Sequence, residues 1–107
     1  IFERAYGRDH ANVASTLTNL GGAHNELGDH AKARDILERA LAINERTYGR
    51  DHPEVAITLF NLGRAHGKLG DIPKARELLE RTLPIWTRAY GTDHPHTLRC
   101  QEALAMC

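Results

Sequence analysis

The chain is 107 residues long, its 14 Lys and Arg balance its 14 Asp and Glu, and 41% of it is hydrophobic. That is enough for one domain with a moderate core, and the balanced charge gives no reason to expect nucleic acid or a membrane surface as a partner. No apolar run approaches the ~20 residues of a membrane span, no basic or apolar region of a secretory signal is visible at the start, and Cys100 and Cys107 make no disulfide framework, so a reducing, cytoplasmic setting is expected.

In chain order, residues 1–6 read as the tail of a helix that stops at Gly7-Arg8-Asp9-His10. The same signal returns as Gly49-Arg50-Asp51-His52 and Gly91-Thr92-Asp93-His94, 42 residues apart each time. Roughly 26 of about 42 aligned pairs are identical between the two complete units, the mark of a repeat architecture. Gly fits the position just past a helix end, where positive φ costs a Cβ residue energy. The Asp, or the His after it, caps the next helix. Pro53 and Pro95 fit its first turn, where a missing N–H is no loss, and Asp51 and Glu54 have capping-box spacing.

A second break, Leu27-Gly28-Asp29 and again Leu69-Gly70-Asp71, divides each unit into two antiparallel helices. The expected helices are 11–27, 30–48, 53–69, 72–90 and 95–106, with no strand, because no segment alternates with period two. The single domain 1–107 then holds a partial unit 1–6, full units 7–48 and 49–90, and a partial unit 91–107. Opening at Ile1 inside a repeat, the sequence reads as a piece of something longer.

The helix at 53–69 has two faces. Leu59, Leu62, Gly63 and His66 recur at i, i+3, i+4 and i+7 and suit packing against another helix. Ile57, Phe60, Asn61, Arg64 and Lys68 mix an aromatic, an amide and two cations, which suits a binding surface better than a core. On the second helices, Ala33, Leu37, Ala40 and Leu41 match Ala75, Leu79, Thr82 and Leu83 as a core stripe. Leu17, Leu20, Leu37, Leu41, Leu59, Leu62, Leu79 and Leu83 are expected to be buried. Gly21 and Gly63 lie mid-helix, where Gly costs ~1 kcal/mol against Ala, so close helix–helix approach is expected there. Asp35 with Arg39 and Arg76 with Glu80 have the spacing of exposed i, i+4 pairs.

The seven histidines invite an enzymatic or metal reading, and the spacing argues against it. His10, His52 and His94 recur in the turn as capping residues, and His24 and His66 fall on the packing face as hydrogen-bonded core residues. Cys100 and Cys107 are i, i+7, roughly 10 Å apart along a helix, too far for a disulfide, and with His94 and His96 too loose a set for zinc. No nucleophile stands beside a base with an orienting third group, and no glycine-rich loop has P-loop spacing. The expectation is no catalysis, no metal and no cofactor.

The first helices read Leu17, Leu20, Gly21, His24, then Gly28-Asp29, then Ala33, Leu37, Ala40. The second unit reads Leu59, Leu62, Gly63, His66, Gly70-Asp71, Ala75, Leu79, Thr82. This resembles the tetratricopeptide repeat (TPR) over the whole chain, in the 42-residue form of kinesin light chains, whose Gly-x-Asp-His-Pro turn it shares. It departs from the family pattern in having His for Tyr at 24 and 66, Thr82 where Ala40 stands, and Pro84 inside the last full helix, where a kink is expected.

The resemblance implies an all-α fold, a right-handed α-solenoid of antiparallel helix pairs. It also implies a concave groove lined by the first helices, in which a protein or peptide ligand lies. Here that groove would draw on Ser15, Thr18, Asn19, Gly22, Asn25 and Glu26, on Ile57, Phe60, Asn61, Arg64 and Lys68, and on Arg99, Glu102 and Met106. By the resemblance, Asn19 and Asn61 would hold the ligand backbone, since an amide offers donor and acceptor together. Arg64, Lys68 and Arg99 would attract an acidic stretch, and Phe60 an apolar anchor. The alternative is a structural spacer or oligomerisation arm of a larger multidomain protein, a regulatory ATPase in bacterial relatives. A third reading, a nucleic-acid-binding solenoid, has balanced charge and few groove aromatics against it. With no polar cap written at its end, residues 95–106 would leave Leu98, Cys100 and Leu104 open and favour head-to-tail self-association.

Overall fold

The computed structural model describes residues 2–107, with side chains from Asn12 onward. Among the described residues there are five α-helices and no strand: α1 (Phe2–Glu26), α2 (His30–Tyr48), α3 (Pro53–Lys68), α4 (Ile72–Tyr90) and α5 (Pro95–Ala105). Each helix packs on the next, and α1 also touches α3, so the first helices of successive units lie side by side. This is the expected helical-repeat solenoid.

The two internal breaks form as their residues dictate. Gly28 and Gly70 have φ of 86° and 94°. At the first break the Asp29 N–H donates to the His24 carbonyl (2.8 Å) and the Gly28 N–H to the Asn25 carbonyl (3.1 Å). The second break repeats this with Asp71 to His66 (2.9 Å) and Gly70 to Gly67 (3.1 Å). Both are Schellman ends. The Asp that closes one helix also opens the next, since Asp29 and Asp71 side chains accept from the Lys32 and Lys74 N–H groups.

At the turns between units the cap is the histidine. His52 Nδ1 accepts from the Glu54 N–H (3.1 Å) and His94 Nδ1 from the His96 N–H (3.0 Å), so the Asp51–Glu54 spacing is not used as a capping box. Tyr48 stacks on His52 and Tyr90 on His94, ring centroids 4.5 Å apart in each case. Gly49 (φ 89°, ψ 172°) and Gly91 (φ 96°, ψ 164°) occupy a region open essentially to glycine alone.

The first of the three expected turns does not form. α1 runs unbroken through Gly7–His10 and absorbs the supposed helix tail. Ala11 stands where the later turns have Pro53 and Pro95. A proline expels the residue before it from the helical region, and His52 and His94 are indeed extended, with ψ of 145° and 143°. His10 has no such constraint.

The core runs through α2, α3, α4 and α5 around Leu37, Val55, Leu59, Leu62, Leu79, Ile85, Trp86 and Cys100. Leu37, Leu59, Leu62 and Leu79 are buried as expected, while Leu17, Leu41 and Leu83 are half-buried. Leu20 departs from expectation at 44% exposed. Its repeat counterpart Leu62 is on α3, which packs against both α2 and α4, whereas no described helix precedes α1.

The mid-helix glycines do mark close approach. A Cβ on Gly21 would collide with Leu37, lying 2.6 Å from its Cδ2, and one on Gly63 would meet Leu79 Cγ at 3.3 Å. α4 continues through Pro84, which has no N–H to offer the Glu80 carbonyl. The expected surface pairs are replaced by others: Asp35 pairs with Arg34 (3.0 Å), and Arg76 donates to the Cys107 carbonyl (2.9 Å).

Candidate peptide-binding groove

Of the fourteen expected groove residues, Ser15, Asn19, Glu26, Lys68, Arg99, Glu102 and Met106 are exposed, and Gly22, Ile57, Asn61 and Arg64 are half-buried. Three are not available to a ligand: Thr18, Asn25 and Phe60 are only 7%, 4% and 7% exposed. Each has an internal partner instead. The Thr18 hydroxyl donates to the Ala14 carbonyl (2.9 Å) and lies 2.9 Å from Thr58 Oγ1. Asn25 Nδ2 donates to the Asn61 carbonyl (3.0 Å), and its Oδ1 accepts from His30 Nδ1 (2.9 Å), tying α1 to α3 and α2. Phe60 packs on Trp86, ring centroids 5.1 Å apart, with the Arg99 guanidinium 5.4 Å from its own centroid.

Arg64 and Lys68 lie together toward the C-terminal end of α3. Arg64 is partly engaged by Glu26 (3.4 Å), across the α1–α3 seam, while Lys68 makes no ion pair among the described residues. Beside them a hollow of about 450 Å³ has an apolar floor of Gly63, Gly67, Ile72, Ala75, Leu79 and Ala103, and a rim that includes Arg64 and Lys68. Gly67 and Ile72 stand there where the preceding unit has Asn25 and His30, the pair that links its helices.

At the other end of α3 lies a smaller and more enclosed notch of about 160 Å³, lined by Ser15, Thr18, Asn19, Asn44, Tyr48, Glu54 and Ile57. Asn44, Tyr48 and Glu54 were not among the expected groove residues. Asn44 does carry a signal in the sequence. It falls on the stripe of Ala33, Leu37, Ala40 and Leu41, and an amide at core spacing has to find partners. It donates from Nδ2 to Thr58 Oγ1 (3.0 Å).

His24 is half-buried and His66 buried, but the hydrogen bonds expected of them are not made. Their Nδ1 atoms lie 3.9 Å from Asp29 and Asp71, and the buried His24 Nδ1 and His66 Nε2 have no hydrogen-bond partner. Cys100, expected at an open end, is fully buried and donates to the Leu79 carbonyl (3.4 Å). Burial pushes its thiol up to about 11, which removes the thiolate needed for reactivity. Leu104 is half-buried, so α5 leaves Leu98 and Met106 open. Among the described residues, no three His, Cys, Asp or Glu side chains gather as a metal site, and no helix is long and apolar enough to cross a membrane.

A family model described as "Tetratricopeptide repeat" matches residues 1–46, 13–87 and 68–107. Among solved structures, the chain is similar to the nearly identical TPR-like repeats of a Podosopora anserina protein described as a kinesin light chain. The TM-score is 0.75 and the identity 27%, over 91% of this chain and 46% of that one. A single-substitution variant of the same protein matches at TM-score 0.75 and 28% identity with the same coverage. The chain thus spans about half the length of the solved chains it matches. Among curated proteins none matches it. The periodic helix pairs, the turn chemistry and the family match agree: the chain belongs to the tetratricopeptide repeat family.

Proposed function

We propose that this chain is a protein-interaction module that holds an extended peptide or partner helix along the face shared by α1, α3 and α5, in a cytoplasmic setting. TPR repeats generally mediate protein–protein contacts and act as non-enzymatic scaffolds. The observation that carries the reading is the pair Asn19 and Asn61, one repeat apart on adjacent first helices, exposed and half-buried, with Arg64 and Lys68 further along α3 beside one hollow. Two amides in register can grip a ligand backbone whatever its side chains. The cations would select an acidic stretch.

The test is a random peptide display library panned against wild type and an Asn61→Ala, Arg64→Ala double variant. Wild type should enrich peptides rich in Asp and Glu. The double variant should lose them while its helical circular dichroism is unchanged. Equal enrichment by both proteins, or none by wild type, would favour the spacer reading.

A further inference from the structure

We propose that the notch between α1, α2 and α3 is a subsite for a cationic side chain, Lys or Arg, of the peptide that the groove holds; this rests on the groove reading above. The argument starts from Asn44, which is 4% exposed. The Thr18 hydroxyl has one proton and gives it to the Ala14 carbonyl, and the single Thr58 proton is drawn to Thr18 Oγ1 (2.9 Å) and the Glu54 carbonyl (3.4 Å). Thr58 Oγ1 in turn accepts from Asn44 Nδ2. With its own proton committed to either partner, the Thr58 oxygen is left to accept from Asn44, and that contact fixes the amide's orientation. Asn44 Oδ1 is left as an acceptor with no donor among the described residues.

In the rest of the lining Ser15, Asn19 and Tyr48 can donate or accept, and the Glu54 carboxylate, an acceptor, is the only formal charge. An anion would face that carboxylate, and an apolar side chain would leave the Asn44 oxygen buried without a donor. An ammonium or guanidinium satisfies both, with Ile57 available to its methylene stem. About 160 Å³ is room for such a head group, well beyond a single water.

The same place one repeat later shows that the notch is no automatic product of the fold. Thr18, Asn44, Glu54 and Ile57 become Phe60, Trp86, His96 and Arg99. Phe60 and Trp86 pack together there, and Arg99 brings a positive charge. Cation-accepting chemistry is thus confined to the first junction, and cations hold the far end of α3. From Ile57 to Arg64 is seven residues of helix, ~10 Å, or about three residues of extended peptide. The ligand would carry a basic residue about three positions from an acidic one.

The panning above tests this with one added variant, Glu54→Gln, a solvent-exposed position outside the core. Wild type should enrich Lys or Arg about three positions from Asp or Glu, and Glu54→Gln should lose the basic preference while keeping the acidic one. A synthetic enriched peptide should bind wild type about tenfold more tightly than its Lys→norleucine version, the effect of a charge-assisted hydrogen bond. Enrichment of acidic residues alone, or equal affinity for the Lys and norleucine peptides, would overturn the subsite and leave the groove standing. No enrichment at all would overturn both.

Discussion

The two junctions between successive units are built on the same backbone and closed by opposite chemistry. Where α1 and α2 meet α3, the contact positions are Thr18, Asn44 and Thr58, joined by hydrogen bonds of 2.9 and 3.0 Å. Where α3 and α4 meet α5, the same repeat positions hold Phe60, Trp86 and Cys100. The first set is polar throughout and leaves a notch. The second is apolar, sealed by two aromatic rings, and its cysteine thiol turns to the Leu79 carbonyl. The three positions work as a set. A hydroxyl can serve the Asn44 amide, whereas the Trp86 indole finds no such partner, and its buried Nε1 has no hydrogen bond. A repeat fold specifies how close helices come but leaves open what fills the space between them, and that is where a binding site can differ from its own neighbour.

The largest expected effect is at the aromatic junction. Burying a large apolar side chain contributes about 1.5–3 kcal/mol, an aromatic pair adds about 0.5–1.5, and removing such a ring leaves a cavity. Trp86→Ala should therefore cost about 3–5 kcal/mol in urea unfolding and loosen α5, detected as hydrogen exchange at Thr97–Ala103. Asn44→Ala, its counterpart, should cost about 1–2 kcal/mol, because it removes one hydrogen bond to Thr58 without emptying an aromatic site. Equal losses would mean that the two junctions are energetically alike despite their composition.

The set can also be exchanged. Thr58→Val alone should cost about 1–3 kcal/mol by leaving the buried Asn44 Nδ2 without its acceptor. The triple change Thr18→Phe, Asn44→Trp, Thr58→Cys installs the second junction's residues at the first, and should be less destabilising than that single change. Such non-additivity is expected of side chains in one network. The triple variant should also lose any preference for basic peptides.

A smaller contrast separates the paired glycines. Gly21→Ala forces Leu37 to move and should cost about 1–3 kcal/mol as overpacking. At Gly63 the same change meets Leu79 at 3.3 Å, a gap that a few tenths of an ångström relieves. The gain in helix propensity, about 1 kcal/mol, should bring Gly63→Ala close to neutral. Melting temperatures of the two variants would separate them.

These contrasts also show what could be read from the sequence. The helix pairs, the glycine turns and the close approach at Gly21 and Gly63 were legible because each rests on local backbone chemistry repeated at a fixed period. The turn at Gly7–His10 was misread because the four-residue signal looked complete, while the deciding residue was the next one, Ala11 in place of proline. Groove residues were harder. Thr18, Asn25 and Phe60 lie at groove spacing on their helices, but their exposure depends on partners 26 to 40 residues away: Thr58, Asn61 and Trp86. Periodicity names a face of a helix, whereas burial needs the neighbour. Asn44 showed the opposite case, a polar residue inside an apolar stripe, legible as an anomaly though not as part of a notch.

The smallest expected effect concerns pH, and again the two junctions should differ. Glu54 at the first becomes His96 at the second, where the imidazole lies near Trp86 (5.0 Å), Tyr90 (5.6 Å) and His94 (4.8 Å). Burial first, then the nearby His94 and Arg99, hold the pKa of His96 below its ordinary 6.5. The folded state thus prefers the neutral ring, and the unfolded chain binds the proton more readily. By linkage, stability rises with pH wherever the unfolded state carries more protons. The contribution from neutral His96 should be whole above pH 6.5 and fade as pH falls through the lowered folded value. Trp86 is the chain's single tryptophan, so its fluorescence reports on this junction directly. Urea midpoints followed by that signal from about pH 8 to pH 5 should fall on the acid side in wild type and fall less in His96→Gln, which keeps a polar side chain but cannot titrate there. Parallel pH profiles for the two proteins would remove His96 as the source of the acid loss.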